Sequence, residues 1–189
     1  MNDLIVFALE SEAPNLAQYE NVFFVGVGKV NAAIATMRLI SAYNPKRIIN
    51  LGTAGGITVD KGIHRVNKLI QHDVNLKPLG LNPGFHLHDE LSVISLSGEG
   101  VTCASGDFFV LEPDKLRTDC DIVEMEAYSI VKACKVMNVE VEVYKYISDS
   151  ADANAIQEWR DNVSEGERHY LQVLENLNVK LIEKGELNS

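Results

Sequence analysis

The stretch Ile122-Val123-Glu124-Met125-Glu126-Ala127 decides how the chain is read. Two carboxylates flank a methionine where a short apolar run gives way to a helical one. Ile122 and Val123 read as the end of a strand. Behind Glu126, Ile130, Val131, Cys134 and Met137 recur at helical spacing. A strand end opening onto a helix is where open α/β sheets place their ligands. The arrangement occurs twice more. Leu4 to Leu9 is an apolar run of strand length that ends in Glu10-Ser11-Glu12, and Val141 to Ile147 ends in Ser148-Asp149. Singly, each acid is also explained by the preference of helix N-termini for negative side chains. Three acid-bearing strand ends in one small chain ask for a common explanation.

The chain has 189 residues, 46% of them hydrophobic, which suits one domain over residues 1–189 with a substantial core. No stretch approaches the roughly 18 apolar residues of a membrane span, so no membrane partner is expected. The start Met1-Asn2-Asp3 lacks the basic residues of a signal peptide, and a cytoplasmic location is expected. Cys103, Cys120 and Cys134 are an odd number without CxxC spacing, which predicts buried thiols rather than a disulfide or a metal site. A net charge of −10 repels phosphate backbones, so nucleic acid is not an expected partner.

Along the chain, Ser11 is placed to cap a short helix with Pro14 in its first turn. Val22 to Val27 reads as a second strand. Gly26-Val27-Gly28-Lys29-Val30-Asn31 then opens a helix to about Tyr43, with Ala32, Ile34, Met37, Leu39 and Ile40 on its apolar side. The glycine pair fails both nucleotide fingerprints. A dinucleotide loop needs a glycine where Asn31 stands, and a P-loop needs a longer gap before Gly28-Lys29. A tight strand-to-helix turn is expected.

Lys46 to Leu51 reads as a third strand running into Gly52-Thr53-Ala54-Gly55-Gly56. That segment reads as a loop. It is either a tight connection or a place where a ligand meets the backbone and its amides. Val66 to His72 reads as a strand, and Asn75 to Glu90 as a loop. His86-Leu87-His88-Asp89 offers metal-ligand residue types, but no second cluster supports it and no metal is expected. Leu91 to Leu96 and Val101 to Ala104 read as strands joined hairpin-like through Gly98-Glu99-Gly100. A last helix begins near Asn154, with Ile156, Trp159, Val163, Tyr170, Val173, Leu174, Leu177 and Leu181 on one face. The tail from Gly185 is expected to fray.

In this order the pieces resemble the nucleoside phosphorylase and nucleosidase superfamily, and most of all the bacterial 5′-methylthioadenosine/S-adenosylhomocysteine nucleosidases. The matching stretches are Ala8 to Glu12, Gly28 to Ala33, Ile48 to Gly56, His72-Asp73-Val74, Ser105 to Phe109, Val123 to Ala127 and Ile147 to Asp152. They cover most of residues 1 to 160. The resemblance implies a three-layer α/β/α sandwich around a mixed, partly closed β-sheet, usually as a homodimer. It implies hydrolysis of the N-glycosidic bond of a 5′-modified adenosine, releasing adenine, without a cofactor.

The resemblance also implies roles. Glu12 matches the base that activates water, Asp149 the acid that protonates the purine, and Ser148 the group that orients it. Glu126 matches the carboxylate on the ribose hydroxyls, with Glu124 beside it and Met125 against the sugar. Phe109 would stack on the purine and the Val110 backbone would read its edge. Thr53, Ala54 and Gly55 would line the ribose and water site, and Trp159 falls near the 5′ substituent. Leu79 and Leu81 would reach the partner subunit's 5′ pocket from the apolar loop Leu76 to Phe85.

The chemistry agrees. Breaking an N-glycosidic bond through an oxocarbenium-like centre calls for an acid at the leaving base and a base at the nucleophile. Four departures stand out: a shortened segment around Leu87 to Val101, Lys145 where arginine is usual near the attacking water, Thr53 in place of a usual serine, and aliphatic Leu79 and Leu81 where aromatics are common. Two other readings stay open. One is a phosphorylase of the same fold, for which no arginine stands in the first strand turn or beside Gly52 to Gly56. The other is a nucleoside-binding relative without catalysis, against which Glu12, Glu126 and Asp149 all speak.

Overall fold

The computed structural model describes residues 2–185. The first strand, β1 (Asp3–Phe7), is buried on both faces and its side chains alternate between two cores. Leu4 and Val6 face the helices α1 (Lys29–Tyr43) and α2 (Ala127–Val136), among Ala32, Ile40, Ile130 and Cys134. Ile5 and Phe7 face the helix α4 (Glu167–Asn176), among Tyr170, Val173 and Leu174. The strand period of two therefore builds a helical layer on each side of the sheet, as a doubly covered strand requires.

The described strands form one eight-stranded mixed sheet. β3 (Arg47–Gly56) is its hub. It runs parallel to β1, which in turn pairs in parallel with β2 (Val22–Phe24). It also runs parallel to β8 (Glu140–Asp149) and, at its end, antiparallel to β7 (Ile122–Glu124). β8 pairs antiparallel with the start of β4 (Ile63–Gln71). β4 pairs in parallel with β6 (Val101–Ser105), and β6 in parallel with β7. The circuit β3–β8–β4–β6–β7 returns to β3, so half of the sheet closes on itself while β1 and β2 extend from its open edge. Ala54, Val66, Leu69, Cys103, Ile122, Val143 and Ile147 are buried with Tyr128 and Val131 of α2 in a further core. The mixed, partly closed sheet between helical layers is the expected architecture.

Several local expectations are corrected. Gly52 to Gly56 is not a loop but the last half of β3, because its backbone pairs with β8 and then with β7. Gly52 is required there, since a Cβ on it would lie 2.9 Å from Glu12 Oε1. Gly55 is required too, since a Cβ would lie 2.8 Å from Asp149 Oδ1. β2 is three residues long and stops short of Val27. The expected hairpin does not form: β5 (Ile94–Ser95) and β6 both pair with β4, which lies between them. The Gly98 turn is held to β4 instead, with Arg65 Nη1 donating to Ser97 O at 2.8 Å and Asn67 Nδ2 to Gly98 O at 3.1 Å.

Ser11 caps nothing. It lies inside a 3₁₀ turn, Glu10–Glu12, that Glu12 closes by accepting the amides of Ala8 and Leu9. On α1, Ala32 and Ile40 are buried with Thr36, but Ile34 and Met37 join Val30 on the outer face. The long final helix is two helices, α3 (Ala155–Asn162) and α4, broken at residues 163–166. They face different surfaces: α3 turns Ala155 and Trp159 toward the ends of β8 and β3, whereas α4 turns Tyr170, Val173 and Leu174 to the sheet face. Gly185 donates its amide to Glu20 Oε1 at 3.0 Å, and the rest of the expected frayed tail lies outside the described residues.

Candidate active site

The three acid-bearing strand ends converge. β1 delivers Glu12 through its 3₁₀ turn, β7 delivers Glu124 to Glu126, and β8 ends on Asp149. A cavity of about 200 Å³ lies between them. Twelve of the candidate residues line it: Glu12, Thr53, Ala54, Gly55, Phe109, Val110, Glu124, Met125, Glu126, Ser148, Asp149 and Trp159. Its walls are mainly apolar, with a few convergent polar groups, the usual form of a small-molecule site.

The carboxylates differ in how they are held. Glu12 is 3% exposed. Its Oε2 accepts from the amides of Ala8 and Leu9, each at 3.0 Å. Its Oε1 accepts from Thr53 N at 2.7 Å and Thr53 Oγ1 at 2.9 Å. The indole Nε1 of Trp159 donates in turn to Thr53 Oγ1 at 3.2 Å.

Glu124 is engaged entirely by the protein. One oxygen accepts from Ser105 Oγ. The other accepts from Glu126 N at 3.0 Å and Ala127 N at 2.7 Å, and lies 3.0 Å from Lys145 Nζ. It closes the N-terminus of α2, so the helix-start explanation fits this acid. Burial alone would push its carboxyl up, but Lys145 and the hydroxyl and amide donors outweigh that and hold it below the ordinary carboxylate range. Lys145 does not line the cavity. It is buried beside Glu124, and although burial opposes its charge, Glu124, Glu126 and Glu12 raise its pKa.

Glu126 is left with capacity. Its Oε1 accepts from Gly28 N at 2.8 Å. Burial, and then the neighbouring Glu124, push its carboxyl up to about 8 against the pull of Lys145. Asp149, 4% exposed, accepts Ser148 Oγ at 2.9 Å on one oxygen and Ala151 N at 3.0 Å on the other. Burial raises its pKa despite these donors. Two acids with raised pKa values therefore share a cavity with a carboxylate enclosed by donors, a division suited to acid–base chemistry.

Phe109 and Trp159 meet edge-on with ring centroids 6.5 Å apart, forming one wall. Leu79 and Leu81 do not line the cavity of the single chain, and Leu79 lies open to solvent. The sequence reading passed over Ala8, Leu9, Val27, Val123 and Phe108, which also line it. It also passed over Gly28, whose amide tethers Glu126. The strand-to-helix turn at Gly26 to Asn31 carried that signal, because the first amides of a helix lack intrahelical partners. A second tie joins α1 to the aromatic loop: Lys29 N donates to Asp107 Oδ1 at 2.7 Å, while Lys29 Nζ and Asp107 N both reach Asp73.

Comparison with known proteins agrees with this architecture. The family model described as "Phosphorylase superfamily" matches residues 17–90. A 5′-methylthioadenosine/S-adenosylhomocysteine nucleosidase of Buchnera aphidicola subsp. Acyrthosiphon pisum is 30% identical over 173 residues, covering 76% of this chain and 73% of the relative. The fold is shared with a Helicobacter pylori nucleosidase mutant holding 5′-methylthioadenosine in its active site, at a TM-score of 0.83, 21% identity, and 93% and 96% of the two chains covered. It is shared also with the futalosine hydrolase of Helicobacter pylori, at 0.84, 20% identity, and 93% and 96% covered. By its sequence and its fold, the chain belongs to the 5′-methylthioadenosine/S-adenosylhomocysteine nucleosidase family within the phosphorylase superfamily.

Proposed function

We propose that the protein hydrolyses the N-glycosidic bond of a 5′-modified adenosine and releases adenine, the 5′ group being methylthio, homocysteinyl, hydrogen or a larger substituent. The observation that carries this reading is the convergence of Glu12, Glu126 and Asp149 on one cavity. Asp149, with its raised pKa and its Ser148 partner, donates a proton to the purine. Glu126 accepts from the ribose hydroxyls with the oxygen that Gly28 leaves open. Glu12 is the final proton acceptor on the water side. Met125 lies against the sugar, Phe109 stacks on the purine and Val110 offers its backbone to the edge. Ala54 and Gly55 line the ribose, and Trp159 borders the 5′ group. Glu124 and Lys145 act from beneath, fixing the strand end that carries Met125 and Glu126.

The same reading includes a homodimer whose partner subunit closes the 5′ pocket through Leu79 and Leu81. Exposed apolar residues in line along α1 (Val30, Ile34 and Met37) support an interface. A cytoplasmic location accompanies it, suited to three free cysteines.

The test is to incubate the protein with a panel of 5′-substituted adenosines, with and without phosphate, and to assay free adenine. Adenine release independent of phosphate is the expected result. Release that requires phosphate would make the protein a phosphorylase, and binding without release would make it a non-catalytic relative.

A further inference from the structure

The two amides that follow Asp149 are divided between two carboxylates. Ala151 N donates to Asp149 Oδ1 at 3.0 Å, whereas Ser150 N donates to Glu158 Oε2 at 2.9 Å. Each backbone N–H that a carboxylate accepts favours its charged form. Among the described residues, Glu12 accepts three such amides and Asp149 accepts one. Glu158 thus withholds an amide from the acid and sets a negative charge beside the turn that follows it. Its own place is fixed on α3, where Asn162 Nδ2 donates to Glu158 O at 2.8 Å and to Ser148 O at 2.9 Å. The helix therefore brackets Asp149, holding the residue before it by its carbonyl and the residue after it by its amide.

We propose that Glu158 is a positioning residue for the acid step: from α3 it takes the Ser150 amide and holds a negative charge beside Asp149, so that Asp149 keeps the proton it gives to the purine. The proposal rests on the hydrolase reading above. In the step, the hydrogen of the Asp149 carboxyl passes to a purine ring nitrogen as the C1′–N9 electron pair leaves with the base. Asp149 is then charged, and the neighbouring charge of Glu158 favours its recovery of a proton from solvent before the next turnover.

The surroundings of Asp149 act in the same direction. Burial comes first in raising its pKa, and Glu158 and then Asp152 add to it against the donors Ser148 and Ala151. Across the cavity stand Glu12 and Glu126. Glu124 and Lys145 lie beneath, paired with each other at 3.0 Å. The end of β3, Thr53 to Gly56, carries no charged side chain. Glu158 is half-buried and outside the cavity lining, so a substitution there alters the charge without touching the nucleoside.

The test is the pH profile of kcat on 5′-methylthioadenosine for the wild type, Glu158→Gln and Glu158→Lys, with Asn162→Leu, which loosens the same helix without altering charge. A glutamine keeps the size and still accepts the Ser150 amide, so it removes the charge alone. In Glu158→Gln the alkaline limb should move to lower pH by about 0.3–1, the scale of one nearby charge at a partly solvated position. Glu158→Lys should move it further the same way. Asn162→Leu should lower kcat about 2- to 10-fold, the worth of a neutral hydrogen bond, with its limb unmoved. A 4-nitrophenyl 5-methylthioriboside has a leaving group that departs without a proton, so its cleavage should show no shift between wild type and Glu158→Gln. Limbs that stay in place in both Glu158 variants overturn the proposal. An equal shift in Asn162→Leu, or with the nitrophenyl substrate, overturns it as well. Glu158→Ala gives the same reading should the glutamine chain fail to fold. A wild type that releases no adenine defeats the hydrolase reading and the proposal with it, whereas an active wild type with unmoved limbs in the variants defeats the proposal alone.

Discussion

Gly28 donates its backbone N–H to Glu126 Oε1 at 2.8 Å, so the first turn of α1 grips the carboxylate that follows β7 across 98 residues of sequence. The bond leaves one Glu126 oxygen open, and the carboxyl titrates at about 8 because burial and Glu124 outweigh the help of Lys145 and Gly28.

A pH dependence of stability follows. In the unfolded chain Glu126 has its ordinary value of 4.5. Between about 4.5 and about 8 the folded state therefore binds a proton that the unfolded state has released. Stability from this group is fully present below the lower value and is lost as pH rises through the upper one. Urea unfolding of the wild type across this range should show that decline, and Glu126→Gln should flatten it. An unchanged slope in the variant would assign the titration to another group.

Asp149 must carry its proton to deliver it. Its pKa is raised by burial, so the protonated fraction falls as pH rises through that raised value, and kcat should fall on the alkaline side. Asp149→Asn keeps the size and cannot donate; cleavage of 5′-methylthioadenosine should drop about 10²- to 10⁴-fold while adenine still binds. A 6-oxo purine lacks the amino donor and leaves an acceptor unpaired at a cost of about 1–3 kcal/mol, so inosine analogues should be the poorer substrates. Equal rates on both would remove Asp149 from base recognition.

Lys145 and Glu124 form a buried pair at 3.0 Å. Removing one partner strands the other, and breaking such pairs typically costs about 3–5 kcal/mol. Lys145→Met should lower the unfolding free energy on that scale. Glu124→Gln in the same chain should recover part of the loss, since a neutral amide needs no counter-charge. Denaturation of the two single variants and the double variant checks it, and additive losses would show that the pair is not coupled.

The outer stripe of α1 should join two copies of the chain. Val30 is 67% exposed and Ile34 is 49% exposed, one helical turn apart. Sedimentation at micromolar concentration should give a dimer, and Ile34→Asp should give a monomer with weaker 5′-methylthioadenosine cleavage. A fully active monomeric wild type would refute both the interface and the partner-closed pocket.

The cores of the strands were legible in the sequence because they are continuous apolar runs: Leu4 to Phe7 and Ile48 to Leu51 are buried on both faces and admit few other readings. Their limits were not. Whether Gly52 to Gly56 is loop or strand depends on β7 and β8, which lie far along the chain, and glycine itself carries no strand preference. The absent hairpin has the same cause, since β4 takes the place that each of β5 and β6 would have offered the other. In the site, residue types pointed to acids and aromatics. Which carboxylate is consumed by the scaffold did not show, because the partners of Glu124 come from β6, α2 and β8.

The break between α3 and α4 makes them separate units of opening. α4 buries Tyr170, Val173 and Leu174, and Glu167 pins it to Asn15 and Leu16. α3 buries Ala155 alone and is otherwise fastened by Asn162 to Ser148 O, by Glu158 to Ser150 N and by Trp159 to Thr53. With so little apolar area to uncover, α3 can detach at a free energy well below that of global unfolding. Its amides should exchange with deuterium faster than those of α4, and a nucleoside in the cavity should slow them. A wall of the cavity thus rests, through Trp159, on a helix that can open without disturbing the sheet.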